Sequence, residues 1–448
     1  MIKKLLTILL CGAPFLLYAQ NIEIEGVVSA TGIIASEEEN PFWFYTNSNA
    51  TIAPETNFAT TGDLKATYSF EKATVTAGAA FYYRDGVEDN FRRRDLYLQF
   101  KNNWLKATLG SKKQAEVFNG LSATNKNFLW SGNARPLAGL VIEANDPIKI
   151  SETFSFDWGI GHYNLNDDRY VDDVRVHYKR LGLIVTLNDN NRFTGRIQHF
   201  AQWAGTSPDF GALPDDFNAF VDVFFAKKAS EATAGGEVQN ALGNHLGSYF
   251  LQYDLKTDLG DFAAYHEHPF EDGSGTRFAN FPDGVWGIHF APANNSVISK
   301  VLYEYIDTSD QSGDTDVSGG ADGYFGNNLY RSGWTYEDRV IGLPFILLDP
   351  DVVLDMDTSK FTNNRSKVHH LGISGSIKKF NWKLKSTYAT FLGTFRRPFQ
   401  PKINRWSNYA SVQYVTETYG TFTIFAGADT GNIGNSIAGG GLTYSYQF

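Results

Sequence analysis

The octet Gly441-Leu442-Thr443-Tyr444-Ser445-Tyr446-Gln447-Phe448 places Leu442, Tyr444, Tyr446 and Phe448 at one parity and Thr443, Ser445 and Gln447 at the other. Successive side chains of a strand point to opposite faces, so this segment makes one apolar face and one polar face. Such a strand suits a wall with lipid on one side and water on the other. The alternation recurs along the chain. Leu64, Ala66, Tyr68 and Phe70 alternate with Lys65, Thr67 and Ser69, and Leu96, Leu98 and Phe100 alternate with Tyr97, Gln99 and Lys101. Val174, Val176 and Tyr178 oppose Arg175, His177 and Lys179; Val301, Tyr303 and Tyr305 oppose Lys300 and Glu304; Ala410, Val412 and Tyr414 oppose Ser411 and Gln413. The apolar faces are expected toward lipid and the charged faces toward a water-filled lumen.

A terminal aromatic on such a strand looks like the assembly signal of bacterial outer-membrane proteins. The N-terminal end agrees. Lys3 and Lys4 precede an apolar run from Leu5 to Leu17, and Ala19-Gln20 offers a cleavage point, so 1–19 is predicted to be a secretory signal peptide and 20–448 a single barrel domain. Cys11 sits inside the apolar run behind Leu10, a poor lipidation box, and its removal leaves no thiol and no disulfide. Cleavage makes the formal net charge −12 instead of −10, and the basic residues are dispersed, which gives no nucleic-acid footprint. The longest later apolar run, 340–348, is too short to span as a helix and contains Gly342 and Pro344. Any membrane crossing must therefore use strands. The 35 Phe, 23 Tyr, 9 Trp and 42 Gly against 2 Met favour the same reading.

Period-two segments predict about sixteen to eighteen strands, including separate ones at 171–180 and 182–188 and one at 407–418. Phe380-Asn381 and Tyr419-Gly420 read as short periplasmic turns. Segments 35–61, 112–136, 205–245, 307–329 and 345–366 read as outer loops or inward-folded plugs. Phe217, Phe220, Val221, Phe224 and Phe225 recur at helical spacing behind Asp215 and Asp216, predicting a short amphipathic helix across the lumen or at its mouth. The fold class is thus all-β: a transmembrane antiparallel barrel of about 18 strands with a short helical plug or loop helix.

Several ordered motifs resemble the Wzi-type capsule-assembly family of outer-membrane proteins. They are Pro41-Phe42-Trp43-Phe44-Tyr45-Thr46-Asn47, Gly132-Asn133-Ala134-Arg135-Pro136, Gln198-His199-Phe200-Ala201-Gln202-Trp203-Ala204-Gly205 and Leu302-Tyr303-Glu304-Tyr305-Ile306-Asp307-Thr308. The strongest is Tyr330-Arg331-Ser332-Gly333-Trp334-Thr335-Tyr336-Glu337-Asp338-Arg339-Val340-Ile341-Gly342, followed by Asn363-Asn364-Arg365 and His369-His370-Leu371-Gly372. The resemblance implies an eighteen-stranded barrel, a helical plug and a lectin-like role in retaining capsular or surface polysaccharide. Segment 35–61 is short for a plug bundle, which leaves 205–245 as the main helical candidate.

Sugar recognition needs aromatic faces beside forked or planar polar groups. Trp334, Tyr336 and Arg339 supply these within six residues, although an extended backbone would put Arg339 on the opposite face and convergence requires a bend. Trp43, Gln202 with Trp203, and Arg135 before Pro136 complete the candidates. Each has a competing role: packing against a plug, an interfacial girdle, or, for Arg135, an internal salt bridge. Arg92-Arg93-Arg94 must sit at a strand end. Asp314 and Asp316 open a calcium-type loop whose twelfth position is Phe325 rather than Glu, and His266-Glu267-His268 lacks the spacing of a zinc protease. No nucleophile elbow occurs, so no catalytic residue, metal or cofactor is expected. The expected role is a non-enzymatic, monomeric outer-membrane protein whose partners are surface polysaccharide, outer-membrane lipid and lipopolysaccharide, and the barrel-assembly machinery. A porin or export channel is the alternative.

Overall fold

Alternating residues build strands only where both faces find a suitable medium, and here eighteen of them close on themselves. The computed structural model describes residues 21–227, 241–271, 273, 275–294, 297–313, 322–355 and 357–448. The expected signal segment 1–19 and the acids Asp314 and Asp316 lie outside the described residues. In chain order, strands β1 to β18 are Ile22–Ala35, Phe58–Ser69, Ala73–Arg84, Phe91–Asn102, Leu105–Ser111, Ala138–Ala144, Phe154–Leu165, Val174–Asn188, Asn191–Trp203, Asn244–Thr257, Gly260–Phe270, Gly284–Pro292, Ile298–Asp307, Ser366–Ile377, Phe380–Gly393, Pro398–Val415, Thr421–Gly431 and Ile437–Gln447. Every neighbour is antiparallel, and β1 pairs with β18 from Val27↔Gln447 to Ala35↔Gly439, so the sheet has no edge. In hydrocarbon each unpaired backbone group would cost several kcal/mol, which closure avoids.

The closing octet behaves as its parity predicts. Leu442, Tyr444, Tyr446 and Phe448 face outward, while inward Thr443 shares a 2.9 Å hydroxyl hydrogen bond with Thr31 across the seam. Two predicted boundaries change. Segments 171–180 and 182–188 form the single strand β8, because Gly182 stays in register with both Asp157 and Arg196. Strand β16 begins at Pro398, well before 407. The arginine run does open a strand: a bulge after Ala80 lets Arg94 and Asp95 both turn inward, where they pair at 3.0 Å.

Short turns join the strands at the end carrying Ile22 and Phe448, which is the periplasmic end in outer-membrane barrels. The long loops leave the other end, and most of them fold inward. Loops 36–57 and 112–137 and the described residues of 308–365 pack one apolar core inside the barrel, with Trp43, Phe128, Trp334 and Phe345 among its buried members. This core explains a misassigned face. Val174, Val176 and Tyr178 point inward against the plug rather than toward lipid, and Arg175, His177 and Lys179 share the outward parity of Leu181 and Leu183.

The predicted helix exists over Phe217–Phe224, here α2 after the four-residue α1 at Phe42–Tyr45, but it is not a plug. Its Ala219 and Val223 pack on Ala201 and Trp203, which share parity with the lipid-facing Phe193 and Ile197 of β9. It therefore covers the outer wall at the loop end, where Phe220 and Phe224 also shield the outward ring of His177. Asp216 caps it, accepting from Ala219 N at 2.8 Å. Asp216→Ala should cost the helix about 1 kcal/mol. Trp203 fluorescence should then become more accessible to an aqueous quencher; unchanged quenching would show that packing alone seats the helix.

Candidate functional site

The strongest motif bends as convergence requires. Thr335–Tyr336 pairs with Arg339–Val340 around Glu337 and Asp338, both at positive φ (49° and 57°). The bend makes Tyr336 and Arg339 cross-strand neighbours, yet each is committed to the plug. Trp334 has no exposed surface; its Nε1 donates to Leu129 O at 2.6 Å, and its ring lies 5.2 Å from Phe200. Tyr336 donates its hydroxyl to Asn166 Oδ1 at 2.8 Å, and Arg339 reaches Ile52 O at 3.1 Å. Burial pushes the Arg339 guanidinium pKa down to about 10.

The other candidates follow suit. Arg135 lies over the Tyr336 ring and donates from Nε to Glu337 Oε2 at 2.9 Å, an internal salt bridge. Trp43 donates to Thr387 Oγ1 at 3.0 Å, with Lys385 Nζ 4.5 Å from its ring. Gln202 donates to Gly333 O at 3.0 Å and accepts from Asn244 Nδ2 at 2.7 Å. Six of the seven thus meet around one plug. Trp203 does not: it lies outward under α2, with the Arg175 guanidinium 5.4 Å from its ring.

Four acids that sequence reading passed over hold this plug in place. Glu304 accepts from Ala123 N at 2.7 Å, Ser122 Oγ at 2.6 Å and Tyr265 Oη at 2.7 Å. Glu267 accepts from Phe128 N at 2.7 Å, Ser248 Oγ at 2.6 Å and Gln198 Nε2 at 2.9 Å. Asp429 takes Phe42 N at 2.8 Å and Glu271 takes Phe325 N at 2.7 Å. A buried carboxylate is stable only when its oxygens find donors, and Glu304 and Glu267 each take a loop N–H group that no regular structure satisfies, with side-chain donors beside it. The His-Glu-His run is divided accordingly: Glu267 faces the plug, while His266 and His268 face out against Trp286 and Phe278. In His369-His370, the second ring turns inward to Leu121 O at 2.7 Å and the first lies near Tyr305 on the other face.

Asp283, in the loop before β12, accepts from Asp310 N and Gln311 N at 3.0 and 2.9 Å and from Tyr324 Oη at 2.9 Å. Burial outweighs these donors and raises its pKa to about 6 from 3.8. A raised folded-state value stabilises the loop below the unfolded pKa, and that contribution is lost as pH climbs through about 6. Segment 308–313 should accordingly resist proteolysis better at pH 5 than at pH 7.5. Asp283→Asn should flatten the difference, and an equal pH effect in that variant would assign it to other groups.

Beneath the plug the lumen opens into a cavity of about 1140 Å³, running from Trp130 and Leu137 to Lys101 and Arg192 beside the short turns. Nine Lys and Arg line it against four Asp and Glu, an inversion of the acidic balance of the whole chain. Tyr163, Tyr178, Phe200 and Phe250 add aromatic surface. The site thus has two tiers: a dry, tethered plug at the loop end and a wet, basic chamber open toward the periplasmic end.

No family model matches the chain, and no curated protein matches it significantly. Solved structures do. The Escherichia coli outer-membrane protein Wzi, described as involved in Group 1 capsule assembly and as a carbohydrate-binding β-barrel, aligns over 99% of this chain and 88% of its own, at 12% identity and TM-score 0.63. Pseudomonas aeruginosa OccK3 (OpdO) aligns over 96% and 99%, at 11% identity and TM-score 0.51. The outer-membrane protein OprD of the same organism aligns over 96% and 94%, at 9% identity and TM-score 0.51. At such identities the likeness is one of fold, and with the closed register described above it makes this chain an 18-stranded antiparallel β-barrel of the outer membrane.

Proposed function

We propose that this barrel binds and retains capsular or surface polysaccharide at the outer membrane, as a monomer and without catalysis. The observation that carries the reading is the plug. Three loops pack a continuous apolar core, and wall carboxylates tether its backbone, which suits a fixed surface under an attached chain better than a solute path. The description of Wzi as carbohydrate-binding supports the same role. Trp334, Tyr336, Arg339, Arg135, Trp43 and Gln202 serve it by fixing the shape of the plug beneath the glycan. Lipopolysaccharide surrounds the wall, and the barrel-assembly machinery delivers it.

The basic chamber favours a second reading, a channel for anionic solutes. Purified protein in planar bilayers separates the two. The retention role predicts no steady conductance, together with loss of cell-bound capsular glycan when the gene is deleted. Steady conductance with normal glycan retention would overturn it.

A further inference from the structure

Four of the nine cations that line the chamber pair with carboxylates. Lys65 pairs with Glu25 at 2.7 Å, Lys106 with Glu143 at 2.9 Å, Arg180 with Glu143 at 3.0 Å and Arg192 with Asp254 at 3.1 Å. Lys126 and Arg196 stand apart from the other lining cations in sharing one aromatic ring. They approach one ring, Phe250, at 5.1 and 4.7 Å from its centroid, and among the described residues neither has a carboxylate within ion-pair distance. The Arg196 Nε is buried with no hydrogen-bond partner. Lys126 is further enclosed by Phe118 at 5.4 Å and Tyr265 at 5.3 Å. Glu267 lies close enough to act on both charges, but its oxygens are filled by Phe128 N, Ser248 and Gln198.

Two unpaired cations on one ring repel each other, and a half-buried guanidinium with an unfilled N–H is costly. A bound anion relieves both penalties at once. The chamber is also larger than the 300–1,000 Å³ typical of a small-molecule pocket, and its aromatic lining suits the C–H faces of sugars.

We infer that Lys126 and Arg196, both beside the Phe250 ring, form an anion site that takes the carboxylate of an acidic oligosaccharide entering the lumen from the short-turn end. The polysaccharide reading supplies the kind of chain; the unpaired charges supply the demand for an anion. Guanidinium and ammonium bind the carboxylate by charge-assisted hydrogen bonds, and the neighbouring rings cover adjacent sugars.

The test is calorimetric titration of the full-length protein in detergent with hexagalacturonate and, in parallel, neutral maltohexaose. Binding of the uronate alone, weakening with added salt, is expected. Lys126→Met and Arg196→Gln should each reduce affinity at least tenfold, and Arg196→Lys should restore part of it. Gel migration of unheated samples confirms that each variant keeps a folded barrel. Equal binding of both oligosaccharides, no binding of the uronate, or unchanged affinity in both variants would overturn the site. Any of these results leaves cell-surface glycan retention to be judged by its own assay, so the two proposals fail separately.

Discussion

A barrel carrying Glu267→Ala and Glu304→Ala should conduct ions where the parent does not. Together these side chains accept from Ala123 N and Phe128 N of the plug and from Ser122, Tyr265, Ser248 and Gln198. Truncation leaves buried donors unpaired, at about 1–3 kcal/mol for each group. Removing two buried charges recovers part of that cost, since their own desolvation disappears. The balance still favours release, because two of the orphaned donors, Ala123 N and Phe128 N, are loop backbone groups that bond to these carboxylates alone among the described residues. Single-channel recordings should show steps in the double variant, with smaller or rarer ones in Glu304→Gln, which keeps one acceptor oxygen. A silent double variant with parental thermal stability would mean that apolar packing alone holds the plug.

Trp334→Ala should be the most damaging single truncation in the plug. The ring is fully buried, touches Phe200 and satisfies Leu129 O through its Nε1. Large-to-small aromatic truncations in packed cores cost about 3–5 kcal/mol. The loss should fall on loop 308–365 while the wall, held by its own ladder, keeps its strands. Proteolysis of protein embedded in liposomes should then cut within that loop at least tenfold faster. Trp334→Phe retains most of the volume and forfeits one hydrogen bond, about 0.5–1.5 kcal/mol, so its cleavage should lie near the parental rate. Equal sensitivity of the two variants would assign the role to the hydrogen bond instead of the ring.

The wall was legible because period-two alternation is a local property, and the closing octet and its relatives carry it in full. What alternation does not supply is which parity faces in. At Val174 to Lys179 the apolar parity meets a filled lumen and the basic parity lies outward beside α2, so the rule that apolar means lipid inverts there. The same ambiguity left α2 either across the lumen or at its mouth, whereas its apolar stripe fits the outer wall at the loop end. The plug residues were found as motifs, and their rings and guanidinium do gather in space. Their solvent exposure was not readable, because it depends on three loops distant in sequence. Glu267 and Glu304 were hidden for a related reason: each resembles any charge on a lumen face until the strand register sets Ser248, Gln198 and Tyr265 beside it.

The seam between β1 and β18 joins hydroxyls of Thr31 and Thr443 that are 412 residues apart. Every other strand pairing links neighbours in sequence and can form as a growing meander. The closing pair therefore has by far the largest entropic distance to cover, and until it forms two strand edges stand open, each with a bare row of backbone donors and acceptors. Such a chain is an aggregation hazard in water for as long as the sheet is an arc.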